Sequence, residues 1–122
     1  MNREIKFRIW NDYDKKMIYW NELLKNKLAN IFTIPSYNKW LMQYTGLHDK
    51  NRKEIYEGDI VQGLFADQEE PEIKGQVIYS DGQASYIVIA SNNDEWGLGY
   101  LDNLEVIGNI YDNPELLKEE IW

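Results

Sequence analysis

The chain has 122 residues, a formal net charge of −8 and no cysteine. A chain of this size is one domain able to bury roughly two-thirds of its unfolded surface. The missing thiols exclude disulfides, thiolate metal sites and cysteine nucleophiles. No run of about 18 apolar residues occurs, and the opening MNREIKFRIW has no apolar signal core, so an intracellular protein without membrane contact is expected. Charge is unevenly spread: residues 1–53 carry +6 and residues 54–122 carry −14. Such halves are expected to pack on one another, or between copies, and partly neutralise.

Glu4 to Trp10 alternates, with Ile5, Phe7 and Ile9 on one face and Lys6, Arg8 and Trp10 on the other. That period predicts a half-buried strand. Asn11 to Lys16 is turn chemistry and Met17 to Trp20 resumes as a strand, giving an N-terminal hairpin whose outward side is basic and aromatic. Asn21 is placed to cap a short helix through Ala29, with Leu24 and Leu28 at i, i+4. Leu23 and Leu24 together also suit a loop that plugs a barrel end. Ile31 to Ile34 reads as a short strand stopped by Pro35.

The stretch Leu41–Val61 organises the rest. A strand leads into the polar turn Asp49–Lys53, Glu54 to Tyr56 carries the chain back, and Asp59 starts a new strand through Phe65. Gly58 is expected to take a positive φ, which costs glycine nothing. Ala66 to Glu72 is an acidic loop. Gly75–Ser80, Asp81-Gly82 and Gln83–Ala90 read as a type I′ hairpin, because Asp-Gly tolerates positive φ at both central positions. The apolar run Tyr86–Ala90 predicts a strand covered on both faces.

Trp96 to Leu101 reads as a short edge strand broken by Gly97 and Gly99. Leu104 to Tyr111 alternates again, and Gly108 falls on its inner face, where a sheet bends or another backbone comes close. Asn113 as N-cap, Pro114 at the first helical position and Glu115 start a short C-terminal helix. Packing of Leu117 and Ile121 is expected to hold it.

Thr45-Gly46-Leu47, Asp49-Lys50-Asn51 and Lys53-Glu54-Ile55-Tyr56-Glu57-Gly58-Asp59-Ile60-Val61 together resemble the signature of the YopX family of bacteriophage and prophage proteins. Arg3–Arg8, Lys16–Tyr19, Val106–Tyr111 and Asn113–Leu117 add to the likeness; residues 21–39 and 62–103 match only loosely. The family usually reads Asp-Lys-Asn-Gly in the turn. Here Arg52 stands at the glycine, so a wider loop than an Asn-Gly turn is expected. The resemblance implies a phage protein in the bacterial host cytosol and brings no catalytic residue with it. It also implies a mainly β fold: a small SH3-like barrel over residues 41–112, an N-terminal β extension over 1–40 and a short C-terminal helix over 113–122. The structural signature is Gly46, Gly58, Asp59, Asp81, Gly82, Gly108, Asn113 and Pro114.

Chemistry is sparse. The sole histidine, His48, lies beside Asp49 on a polar turn where both are expected to face water. Asp67, Glu69, Glu70 and Glu72, and the pair Asp94-Glu95, lack the glycine turn and spacing of a calcium loop. No phosphate loop, dinucleotide fingerprint or nucleophile elbow is present, so no enzyme and no cofactor are expected. Nucleic acid is one candidate partner, through Lys6, Arg8, Lys15, Lys16, Trp10 and Trp20, although the net charge opposes it. The leading reading is a non-enzymatic module that contacts a protein partner or a second copy of itself through those residues.

Overall fold

The computed structural model describes residues 4–25, 40–65 and 72–118. Among these residues nine strands follow in order: β1 (Phe7–Asn11), β2 (Lys16–Ile18), β3 (Leu41–His48), β4 (Glu54–Tyr56), β5 (Asp59–Phe65), β6 (Ile73–Ser80), β7 (Ser85–Ile89), β8 (Glu95–Gly97) and β9 (Leu101–Asn109). One α-helix, α1 (Trp20–Lys25), follows β2, and 3-10 turns span Leu98–Tyr100 and Pro114–Leu117. The strands form two antiparallel sheets, ordered β2-β1-β3-β4 and β8-β7-β6-β5-β9, which curl into a half-barrel. The protein is mainly β, as expected.

The larger sheet holds the main core: Val61, Ile73, Val77, Val88, Leu98, Leu101 and Leu104, joined by Ile55 from β4. Ile87 and Val88 are neighbours in sequence and both buried, so β7 is covered on both faces, as its apolar run predicts. A smaller cluster gathers Ile9 and Leu23 with Ile18, Trp20, Trp40 and Leu41, which fixes α1 against the first sheet.

The link between the sheets is the Glu57-Gly58 turn joining β4 to β5. Gly58 has φ +86°, donates its N–H to Val77 O (2.9 Å) and accepts the N–H of Ile110 (2.9 Å). A side chain here is disfavoured twice: the backbone is left-handed, and an added Cβ would lie 2.8 Å from Met42 Sδ, which would have to shift. Gly58→Ala is expected to cost about 1–3 kcal/mol, read as a lower urea midpoint with an unchanged slope. Gly46, at φ +89°, carries the irregularity in β3 between Tyr44 and His48.

Several expectations are corrected. Lys6, Arg8 and Trp10 do share a face, but it is not a free surface: Lys6 meets Glu54 of β4, Arg8 meets Asp59 of β5, Trp10 stacks on Tyr111, and Arg8 and Trp10 are buried. Trp20 begins α1 rather than ending a strand. The Asp81-Gly82 turn is not type I′: Ser80 pairs with Ser85, leaving the four-residue loop Asp81–Ala84 with Ala84, not Gly82, at positive φ (+51°). Pairing up to Ser85 lengthens the loop, and Ser80 Oγ accepts the Gln83 N–H (3.3 Å) to hold it.

The C-terminal segment starts as a four-residue 3-10 turn, and Asn113 does not cap it through its side chain. Its Oδ1 instead accepts the Asn109 N–H (3.2 Å). It sits where a Cβ on Gly108 would come within 2.5 Å, so a side chain rather than a backbone makes the close approach there. The expected strand at 31–34, the acidic loop at 66–71 and Ile121 lie outside the described residues.

Candidate interaction face

The polar groups of the sequence's basic face are mostly turned into structure. Arg8 is 2% exposed. Its Nη2 donates to Asp59 Oδ1 (2.9 Å) and to Glu57 O (3.1 Å), and its guanidinium lies over the Tyr56 ring at 4.8 Å. The other Asp59 oxygen accepts the Tyr56 N–H (2.8 Å). Glu57 Oε1 accepts the Gln43 N–H (2.7 Å). This centre ties β1, β3, β4 and β5 together at the point where the two sheets join. Burial pushes the Asp59 carboxyl up, against the pull of Arg8 and the Tyr56 amide. Burial raises Glu57 likewise, and it drives the Tyr56 phenol to about 12, with the charge of Glu54 adding to it.

Lys6 bonds to Glu54, pairs with Glu4 (3.0 Å) and lies over the Tyr44 ring. The Glu54 hydrogen bond, working against burial, holds its ammonium above the ordinary lysine range. Lys50 approaches Glu105 at 3.7 Å. The pairs Lys6–Glu54, Arg8–Asp59 and Lys50–Glu105 each join the basic half to the acidic half. These pairs supply part of the expected neutralisation within one chain.

Trp10 is 4% exposed, stacks on Tyr111 (centroids 5.1 Å apart) and donates its indole N–H to Asp12 Oδ1 (3.3 Å). Trp20 packs tilted on Phe7. Lys15 pairs with Asp12 (2.8 Å) in the exposed turn, and Lys16 is exposed at the start of β2. Of the six residues read as one face, only Lys15 and Lys16 stand fully at the surface.

What lies open instead is a cleft of about 330 Å³ lined by Ile9, Trp10, Asn11, Asp12, Tyr13, Ile18 and Trp40. Tyr111 supports it from behind, with Trp40 edge-on to that ring at 5.6 Å. Tyr13, at 95% exposure, is its most accessible aromatic. Sequence reasoning left Tyr13 within the Asn11–Lys16 turn and Trp40 just ahead of the Leu41–Val61 stretch, so neither was singled out. The signal was there in an aromatic at the centre of a polar turn, where packing does not ask for one.

Asp49 is the other residue that sequence reasoning misplaced. It is buried, while His48 is exposed with its ring against the Tyr44 hydroxyl. Asp49 Oδ1 accepts the N–H groups of Asn51 (2.8 Å) and Lys53 (2.9 Å), and Oδ2 accepts the Val106 N–H (3.0 Å). With Lys50 N bonding to Leu104 O (2.8 Å), this turn closes the first sheet onto the edge of β9. Among the described residues no group of three metal-ligating side chains occurs, and no helix is long and apolar enough to cross a membrane.

Fold and polar centre together define a small mainly β half-barrel closed in part by the ion pairs Lys6–Glu54 and Arg8–Asp59. Residues 6–118 match the family model described as YopX protein, and the chain belongs to that family. It is similar to protein EF1440 from Enterococcus faecalis, at 26% identity and a TM-score of 0.61, covering 96% of this chain and 100% of that one. It is also similar to protein yopX from Bacillus subtilis, at 25% identity and a TM-score of 0.60, covering 99% of this chain and 100% of that one. No curated protein matches it.

Proposed function

We propose that this chain is a non-enzymatic contact module that self-associates through the aromatic cleft beside the β1–β2 turn. The resemblance to phage and prophage proteins supports an accessory role in a phage-carrying bacterium, in the host cytosol. The observation that carries the reading is Tyr13, almost fully exposed at a cleft walled by Ile9, Trp10, Ile18 and Trp40. Exposed aromatics beside a preformed apolar recess are the usual anchors of protein interfaces. The flanking turn carries both charge signs, Asp12 and Asp14 with Lys15 and Lys16, so two copies related by a two-fold axis can present complementary charges to each other.

The test is light scattering after size exclusion across a concentration series. A mass above 14.5 kDa that rises with concentration is expected. Tyr13→Ala is expected to weaken the association about 30-fold, a hot-spot effect of about 2 kcal/mol, without lowering the melting temperature. A particle of 14.5 kDa at every concentration would rule the reading out.

A further inference from the structure

We infer that the tip of the β3–β4 hairpin binds the phosphate backbone of nucleic acid. The nucleic-acid reading placed its cations on the N-terminal hairpin, but Arg8 and Lys6 are consumed there by Asp59 and Glu54. The β3–β4 tip is different: His48, Lys50, Arg52 and Lys53 are all exposed. The one carboxylate among them, Asp49, is turned inward with both oxygens bonded to backbone amides. It therefore shapes the tip from within and offsets part of the Lys53 charge, leaving Arg52 at the apex. Lys50 meets Glu105 only at 3.7 Å with both side chains part-exposed, a contact that water and salt screen.

Arg52 is the decisive residue. It sits at φ +67°, the left-handed position that closes a three-residue hairpin turn and that glycine fills without strain. A side chain there costs about 1 kcal/mol, and strained backbone tends to occur where a side chain is used. What the strain provides is a guanidinium at the apex, the group whose forked donors match phosphate oxygens. The exposed His48 ring is of a kind that stacks on unpaired bases. Phosphate contacts form in water and need no dry centre. The tip's residues, His48 to Lys53, offer no large aromatic to anchor a protein interface instead.

Fluorescence polarisation with a labelled oligonucleotide, as single-stranded DNA, duplex DNA and RNA, tests this at about 50 and 150 mM salt. Binding is expected at the lower salt, and about 10- to 20-fold weaker at the higher if three phosphates are engaged. Arg52→Gly removes the guanidinium and the strained φ together, so affinity should fall at least 5-fold while the urea midpoint holds or rises. Arg52→Glu with Lys53→Glu should abolish binding. Tyr13→Ala should bind like the wild type, which keeps this outcome separate from that of self-association. The proposal is overturned by no binding at the lower salt, or by Arg52→Gly binding as well as the wild type. Equal displacement of the probe by polyglutamate, which would mark an acidic protein partner, overturns it as well. Loss of binding in Lys15→Ala/Lys16→Ala but not in the tip variants does the same.

Discussion

Asp49→Ala is expected to lower stability by about 1–3 kcal/mol, because Asp49 is itself buried and its loss leaves the amides of Asn51, Lys53 and Val106 without their acceptor. Asp49→Asn keeps one carbonyl oxygen and should lose about half as much. The acid limb of stability carries the same signature. Burial pushes the Asp49 carboxyl up, but the amides of Val106, Lys53 and Asn51, aided by the Lys53 charge, outweigh it and hold it below the ordinary aspartate value. A lowered folded pKa means that the stabilisation is complete above the unfolded value, about pH 4. It is lost as pH falls through the folded value. Urea midpoints followed by tryptophan fluorescence between about pH 7 and pH 3 should therefore fall more steeply in the wild type than in Asp49→Ala. Parallel curves would remove Asp49 from the acid response.

The second large effect is at the junction of the sheets. Asp59→Ala should cost about 3–5 kcal/mol, since it strands the buried Arg8 guanidinium and the Tyr56 N–H. Burial already holds the Asp59 carboxyl above its ordinary value. A carboxylate with a raised folded pKa is costly to keep ionised, and that cost is fully present above the folded value and absent below the unfolded one. The pair therefore fixes geometry more than it adds stability, and removing both charges should be far less harmful than removing one. Arg8→Met with Asp59→Asn keeps side-chain bulk and an acceptor for Tyr56, and is expected to lie within about 1 kcal/mol of the wild type. A double-mutant cycle reads the coupling directly; strictly additive losses would contradict it.

Much of the frame was legible because it follows from local rules. Gly58 at positive φ, Asp59 opening β5, and the buried β7 came from turn chemistry and apolar runs, and all are present. The errors came where a distant element decides. Alternation in β1 separates its faces correctly but cannot say that Asp59 and Tyr111, far on in the chain, cover Arg8 and Trp10. The Asp81-Gly82 signal was overruled by pairing at Ser80 and Ser85, a register set by the strands rather than by the turn. Asp49 looked like a solvated turn residue because its third partner, Val106, lies on β9. The same holds for two cations of the candidate face: Lys6 and Arg8 have partners, Glu54 and Asp59, far on in the chain, while Lys15 and Lys16 stay at the surface.

The ion pairs that stitch the basic half to the acidic half also set a schedule. Arg8 is made early and its partner, Asp59, 51 residues later. The edge that Asp49 clamps belongs to β9, near the end of the chain. Contacts this remote in sequence form late and slowly. On a ribosome the first 53 residues, with their charge of +6, emerge before the carboxylates that neutralise them. The N-terminal sheet therefore has no finished inner face to settle on until β5 and β9 are present, and the half-barrel is expected to close in one step rather than strand by strand.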